Sequence, residues 1–321
     1  MSGVVAVAEG YTHHMRELPI GIFDSGLGGL TVAGEIMRAL PNESIVYFGD
    51  TVRCPYGPRS PEEVRSFVLQ IGSWLTQRRV KLIVIACNTA TAAGLALAQQ
   101  VFDVPVIGVV EPGARAAVKA TLNRRVGVIG TVGTVNSGAY SHAVRALDAG
   151  VTVFSVPTPR FVDVVEQGVR LGNGTLEDLL SATSDVYIRP SFYQMARDYL
   201  DPLKRSGIDT LVLGCTHFPL LAAPIQQVMG AGVRLISSAA ETAHEVADTL
   251  AARGHLAEAG DPRSEVFATT GDPDEFRELG ARVLGRHVST AEHVSLAELG
   301  SMLTPELRRR QATYEEVGTC D

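Results

Sequence analysis

Two cysteines carry the strongest chemical signal in this chain. Cys87 follows the apolar run Lys-Leu-Ile-Val-Ile-Ala and precedes Asn88 and Thr89; Cys215 follows Asp-Thr-Leu-Val-Leu-Gly and precedes Thr216 and His217. Each therefore stands at the C-terminal end of an expected strand, where the following helix presents free N–H groups that stabilise a thiolate. Pro219 is placed to open the helix behind Cys215. Taken singly, either cysteine could be a small buried hydrophobe, but their matched placement argues for a pair of acid/base thiols. His217 suits an acid or base role beside Cys215. A metal site built from Cys87, Cys215 and His217 is the alternative, although their spacing resembles no usual zinc motif.

Two carboxylates extend this set. Asp24 ends the first apolar run and is followed by Ser25 and the segment Gly-Leu-Gly-Gly, whose glycines let backbone approach a ligand. The competing reading is a capping aspartate at a strand-to-helix turn. A phosphate loop is excluded, because GxGxxG begun at Gly26 reaches Thr31 at its last position and no Gly-Lys-Ser/Thr follows. Glu166 lies in Arg-Phe-Val-Asp-Val-Val-Glu-Gln-Gly, where Phe161, Val162 and Val165 form an apolar face; an ordinary solvated carboxylate is the plain explanation for it. The loop Gly-Asp-Thr-Val-Arg-Cys-Pro-Tyr-Gly brings Tyr56 and Gly57 near the strand ends. Cys54 in that loop has no base nearby, so it reads as an incidental thiol, as does Cys320 in the tail.

Positioning these residues requires parallel strands. Apolar, β-branched runs at 20–23, 44–49, 81–86, 105–110, 125–130, 151–156, 209–214 and 233–237 alternate with segments of helical spacing, the pattern of an α/β protein with crossover helices. An internal correspondence sharpens this: residues 81–94 read like 209–222, the run from Pro19 reads like that from Arg125, and Ser-Ile-Val-Tyr-Phe-Gly-Asp-Thr matches Val-Thr-Val-Phe-Ser-Val-Pro-Thr in the same order. The expectation is two pseudo-symmetric α/β lobes, each a mostly parallel sheet flanked by helices, with the site between them. Ligands bind beyond the carboxyl ends of such strands, so facing lobes would bring both cysteines to one cleft. The predicted division is a flexible extension over 1–18, a first lobe from 19–114 plus about 225–290, a second lobe over 115–224, and a tail over 291–321. Residues 264–290 are read as a strand and helix returning to the first lobe, 294–311 as a short amphipathic helix, and 313–321 as mobile.

Composition fits this reading. The chain has 321 residues, 45% hydrophobic and 20% charged, enough to bury one large or two medium cores. Its net charge of −7 offers no general attraction for phosphate backbones, so nucleic acid is not an expected partner. Four separated cysteines without CxxC fit reduced thiols in the cytoplasm. The opening residues fail as a secretory signal, and no apolar run reaches membrane-spanning length.

The segments DSGLGGLTV, GDTVRCPYG, ACNTATA, FVDVVEQG and GCTHFPLL, in that order, resemble the glutamate racemase family over roughly residues 20–270. The pairing of ACNTATA with GCTHFPLL is the most specific part. The resemblance implies an isomerase that interconverts L- and D-glutamate without pyridoxal phosphate or metal, supplies D-glutamate for peptidoglycan, and allows a homodimer. It further implies that Cys87 and Cys215 are the acid/base thiols, that Asp24 supports the first, and that His217 with Glu166 supports the second. Substrate contacts are then expected at Asp24, Ser25, Tyr56, Gly57, Asn88, Thr89, Thr216 and His217. The stretch 169–199 is longer than the family pattern suggests. Aspartate or hydantoins are alternative substrates, and a noncatalytic two-lobed binding protein is the alternative of another class.

Overall fold

A computed structural model describes residues 14–171 and 190–318. Eight strands and their helices follow the expected order: β1 (Ile20–Asp24), α1 (Leu30–Ala39), β2 (Ile45–Gly49), α2 (Pro61–Gln77), β3 (Leu82–Ile85), α3 (Asn88–Val101), β4 (Val106–Gly108), α4 (Val110–Ala120), then β5 (Arg125–Gly130), α5 (Val132–Asn136), α6 (Ala139–Leu147), β6 (Thr152–Pro157), α7 (Arg160–Leu171), α8 (Pro190–Arg205), β7 (Thr210–Gly214), a 3₁₀ turn (Phe218–Leu221), α9 (Ala222–Met229) and β8 (Arg234–Ile236). The chain closes with α10 (Ser238–Arg253), β9 (Glu265–Thr269), α11 (Pro273–Leu284), β10 (Ala291–His293), α12 (Leu296–Met302) and α13 (Pro305–Gly318).

Two sheets form, in the orders β10-β9-β2-β1-β3-β4 and β6-β5-β7-β8. Every strand pairing among the described residues is parallel. The runs β1, β2, β3 and β7 are buried along their whole length, as strands covered by helices on both faces must be. The order β2-β1-β3-β4 repeats as β6-β5-β7-β8, which places the two halves of the internal sequence correspondence on equivalent strands. One apolar core runs continuously from Ile22 and Leu30 of the first lobe to Ile129, Leu213 and Phe218 of the second.

Several expected boundaries move. Residues 233–237, expected in the first lobe, form β8, which pairs with β7 in the second sheet because it is the structural repeat of β4. The expected division between residues 114 and 115 falls inside α4, which is one helix. The chain therefore crosses between lobes twice, through α4 and through α10, and these two helices pack on each other.

The tail is also more ordered than expected. β10 adds to the first sheet beside β9. The single helix expected over 294–311 is two: the Ser295 hydroxyl accepts from the Glu298 N–H to start α12, and Pro305 opens α13. Residues 313–318, expected to be mobile, form the end of α13, where Glu315 pairs with Arg65 at 2.9 Å. Residues 14–17 form a helical turn whose Arg16 carbonyl accepts from Lys81 Nζ at 2.7 Å. Lys81 is fully buried and ion-paired with Glu43 at 2.5 Å, so it fixes this turn to the sheet. The remaining expectations for residues 1–13, for Cys320 and for most of the long 169–199 stretch lie outside the described residues.

Candidate active site

Both sulfurs lie at the carboxyl ends of equivalent strands. Cys87 ends β3 and caps α3, with the Ala90 N–H 3.5 Å from Sγ; Cys215 ends β7. Together with Ser25, Tyr56, Gly57, Asn88, Thr89, Thr216 and His217 they line one cavity of about 20 Å³ between the lobes. That volume holds roughly one water.

The setting of Cys87 differs from the thiolate expected there. Burial raises its thiol first, and the charges of Asp24 and Cys215 add to this; the Ala90 N–H and Ser25 oppose it, and the result stands at about 12. Desolvation outweighs the helix N-terminus, so Cys87 rests as a thiol. Its sulfur is 3.8 Å from the Ser25 hydroxyl.

Cys215 is built differently. It precedes a 3₁₀ turn rather than capping an α-helix, and its Sγ lies 3.6 Å from Nδ1 of His217. Nε2 of that ring lies 2.7 Å from Oε1 of Glu166. Burial alone would depress the imidazole, but hydrogen bonds to Cys215 and Glu166, and their charges, carry it well above its ordinary value. These partners favour the protonated ring beside the Cys215 sulfur. Glu166 is not the solvated carboxylate that its helix suggested: Phe161, Val162 and Val165 are buried as expected, and this seats α7 with Glu166 against His217.

Asp24 is fully buried at the end of β1. Its Oδ2 accepts from the Gly26 N–H at 3.0 Å, and its Oδ1 accepts from the Thr216 hydroxyl at 3.3 Å. It therefore caps the turn and also reaches across to the second lobe. Burial raises its carboxyl, against the lowering effects of His217, the Gly29 and Gly26 N–H groups and Thr216. Tyr56 places its ring in the cavity wall while its hydroxyl donates to Asp50. Cys54 is half-buried behind Gly26, and burial raises its thiol. Among the described residues no group of three or more His, Cys, Asp or Glu is arranged to hold a metal.

A model of the Asp/Glu/Hydantoin racemase family matches residues 31–246. The glutamate racemase of Mycobacterium leprae is 50% identical over 281 residues, covering 87% of this chain and 96% of its own. This chain belongs to the glutamate racemase family. A crystal structure of a glutamate racemase isoform from Bacillus anthracis matches the fold with a TM-score of 0.77 at 45% identity, over 87% of this chain and 98% of that one. The glutamate racemase of Francisella tularensis, solved in complex with D-glutamate, matches with a TM-score of 0.76 at 32% identity, over 89% and 99% of the two chains.

Thr131, Pro55 and Tyr140 carry no site role in the sequence reading of this glutamate racemase family member. Thr131, Pro55 and Val162 also line the cavity. Thr131 was findable, because it follows β5 as Ser25 follows β1; its hydroxyl meets that of Thr89 across the lobes at 2.8 Å. Tyr140, whose hydroxyl donates to Asn88 Oδ1 at 2.7 Å, carried no motif signal. Two glycines set how closely the lobes meet. A Cβ on Gly28 would stand 2.5 Å from the Thr216 hydroxyl and 2.7 Å from Nδ1 of His217, and one on Gly57 would stand 2.7 Å from the Thr131 Cβ.

Proposed function

We propose that this chain interconverts L- and D-glutamate by removing the α-proton with one cysteine and delivering a proton from a second cysteine on the opposite face of the substrate. The observation that carries this reading is the pair of buried sulfurs at equivalent strand ends of two lobes, lining one cavity. In the L-to-D direction Cys215 removes the α-proton and Cys87 returns one to the other face; the reverse direction exchanges their roles. Asp24 supports Cys87, and His217 held by Glu166 supports Cys215. The resting thiol at Cys87 and the cation at His217 fit the L-to-D start.

The thiols cannot carry the whole barrier. Enzymes lower the uncatalysed barrier by about 8–23 kcal/mol, whereas one positioned acid or base contributes only about 3–5 kcal/mol of that. Donors to the carboxylates, each worth roughly 3 kcal/mol in a dry site, must supply more. Ser25, Asn88, Thr89, Thr216 and nearby N–H groups are the candidates. An amino acid exceeds a cavity of about 20 Å³, so the lobes must part for it to enter and close again for chemistry.

The proposed setting is the cytoplasm, with free glutamate as substrate, D-glutamate for peptidoglycan as product, and a homodimer as the assembly to test by light scattering. Among the described residues no helix is long and apolar enough to cross a membrane. Circular dichroism of glutamate incubated with purified, chelator-treated protein tests the activity. Loss of optical activity from either enantiomer supports it, and preference for aspartate overturns the substrate.

A further inference from the structure

Tyr140 lies outside the cavity wall yet touches both cysteine-bearing segments. Its hydroxyl donates to Oδ1 of Asn88, the residue after Cys87, and its ring packs on Gly214, the residue before Cys215, where a Cβ would stand 3.1 Å from Cε2. The same hydroxyl is clasped between the two helices that connect the lobes. A Cβ on Gly113 of α4 would stand 3.2 Å from it and 3.1 Å from the Cβ of Ser238 at the start of α10, and the Ser238 side chain hydrogen-bonds it.

Asn88 is 2% exposed and lines the cavity, and its Nδ2 has no protein partner. A tyrosine hydroxyl has one proton to give. That proton goes to Asn88 Oδ1, and the amide is thereby committed to presenting its N–H₂ to the cavity. The reverse orientation would set a carbonyl oxygen against a substrate carboxylate.

We propose that Tyr140 is a positioning residue for the reaction: held between the two connecting helices, its hydroxyl fixes the Asn88 amide so that Nδ2 donates to a substrate carboxylate when the lobes are closed. This rests on the racemase reading above. It ties the donor to lobe geometry, because the hydroxyl keeps its place only while α4, α10 and α6 keep theirs.

The test is Tyr140→Phe, alone and combined with Asn88→Ala. Tyr140→Phe should lower kcat about tenfold, the worth of one hydrogen bond, with a smaller change in KM because the bond strengthens as charge spreads into the carboxylate. In the Asn88→Ala background the same change should cost nothing further. A role confined to packing would lower the melting temperature and leave kcat alone, or would add its loss in both backgrounds, and either result overturns the proposal. If Tyr140→Phe does not fold, Ser238→Ala, which leaves the ring in place, should reduce kcat in the wild-type background and not in Asn88→Ala; unchanged kcat overturns the proposal. A wild-type protein inactive on glutamate would instead overturn the racemase reading, and this proposal with it.

Discussion

Oε1 of Glu166 lies 2.7 Å from Nε2 of His217, and the opposite nitrogen of that ring faces the Cys215 sulfur at 3.6 Å. The three groups form a line from α7 to the end of β7, with the imidazole buried and the carboxylate partly open to solvent. Glu166 is one of the groups that hold His217 above its ordinary pKa.

Replacing Glu166 by Gln should therefore lower the His217 pKa and reduce kcat/KM about 10- to 100-fold, the cost of losing a charge-assisted hydrogen bond. Because the folded-state pKa is raised, His217 contributes stability that is complete below about pH 6.5 and is lost as pH rises through the raised value. That contribution should shrink in Glu166→Gln. Histidine NMR titration checks the first point, and an unmoved His217 would refute the coupling.

Asp24→Asn removes a negative charge that raises Cys87. The rate should be bell-shaped in pH, because each direction needs one thiolate and one thiol, with limbs that belong to the pair. Wild type should hold its alkaline limb well above the ordinary thiol range, and Asp24→Asn should move that limb to lower pH. Since the enantiomers are equal in energy, the kcat/KM profiles from L- and D-glutamate must coincide, which provides an internal control. An alkaline limb unchanged by the substitution would contradict the role given to Asp24.

Gly28→Ala places a methyl group where Thr216 and His217 come within 2.7 Å. The lobes could close only by shifting, and a misplacement of about 1 Å can cost on the order of 100-fold in rate. The expected result is a large fall in kcat with the melting temperature nearly kept, read by kinetics and thermal unfolding side by side. Full activity would mean that this close approach is not part of the working state.

Much of this was legible in the sequence because strand-end chemistry and repetition are local signals. Cys87 and Cys215 each follow an apolar run, and the repeat that pairs them also fixes which strands they end. The same repeat, carried one strand further, would have put β8 beside β7. What escaped depended on three dimensions. The protonation of Cys87 is set by burial under the second lobe, which no helix-start pattern reveals. Glu166 by its own helix pattern reads as an ordinary carboxylate; only the family resemblance joins it to His217, and the two meet because α7 packs beside the 3₁₀ turn. Tyr140 reaches Asn88 across 52 positions of chain.

The central claim is that two different sulfurs handle the two faces of one carbon, and heavy water reads it most directly. With L-glutamate and wild-type protein at early times, deuterium should enter the D-glutamate formed while the remaining L-glutamate stays largely unlabelled, because the proton removed and the proton delivered reside on separate thiols. Cys87→Ala should stop racemisation yet leave slow washout from L-glutamate through Cys215, and Cys215→Ala should show the opposite preference. Racemisation near the wild-type rate in either alanine variant would contradict the two-thiol account.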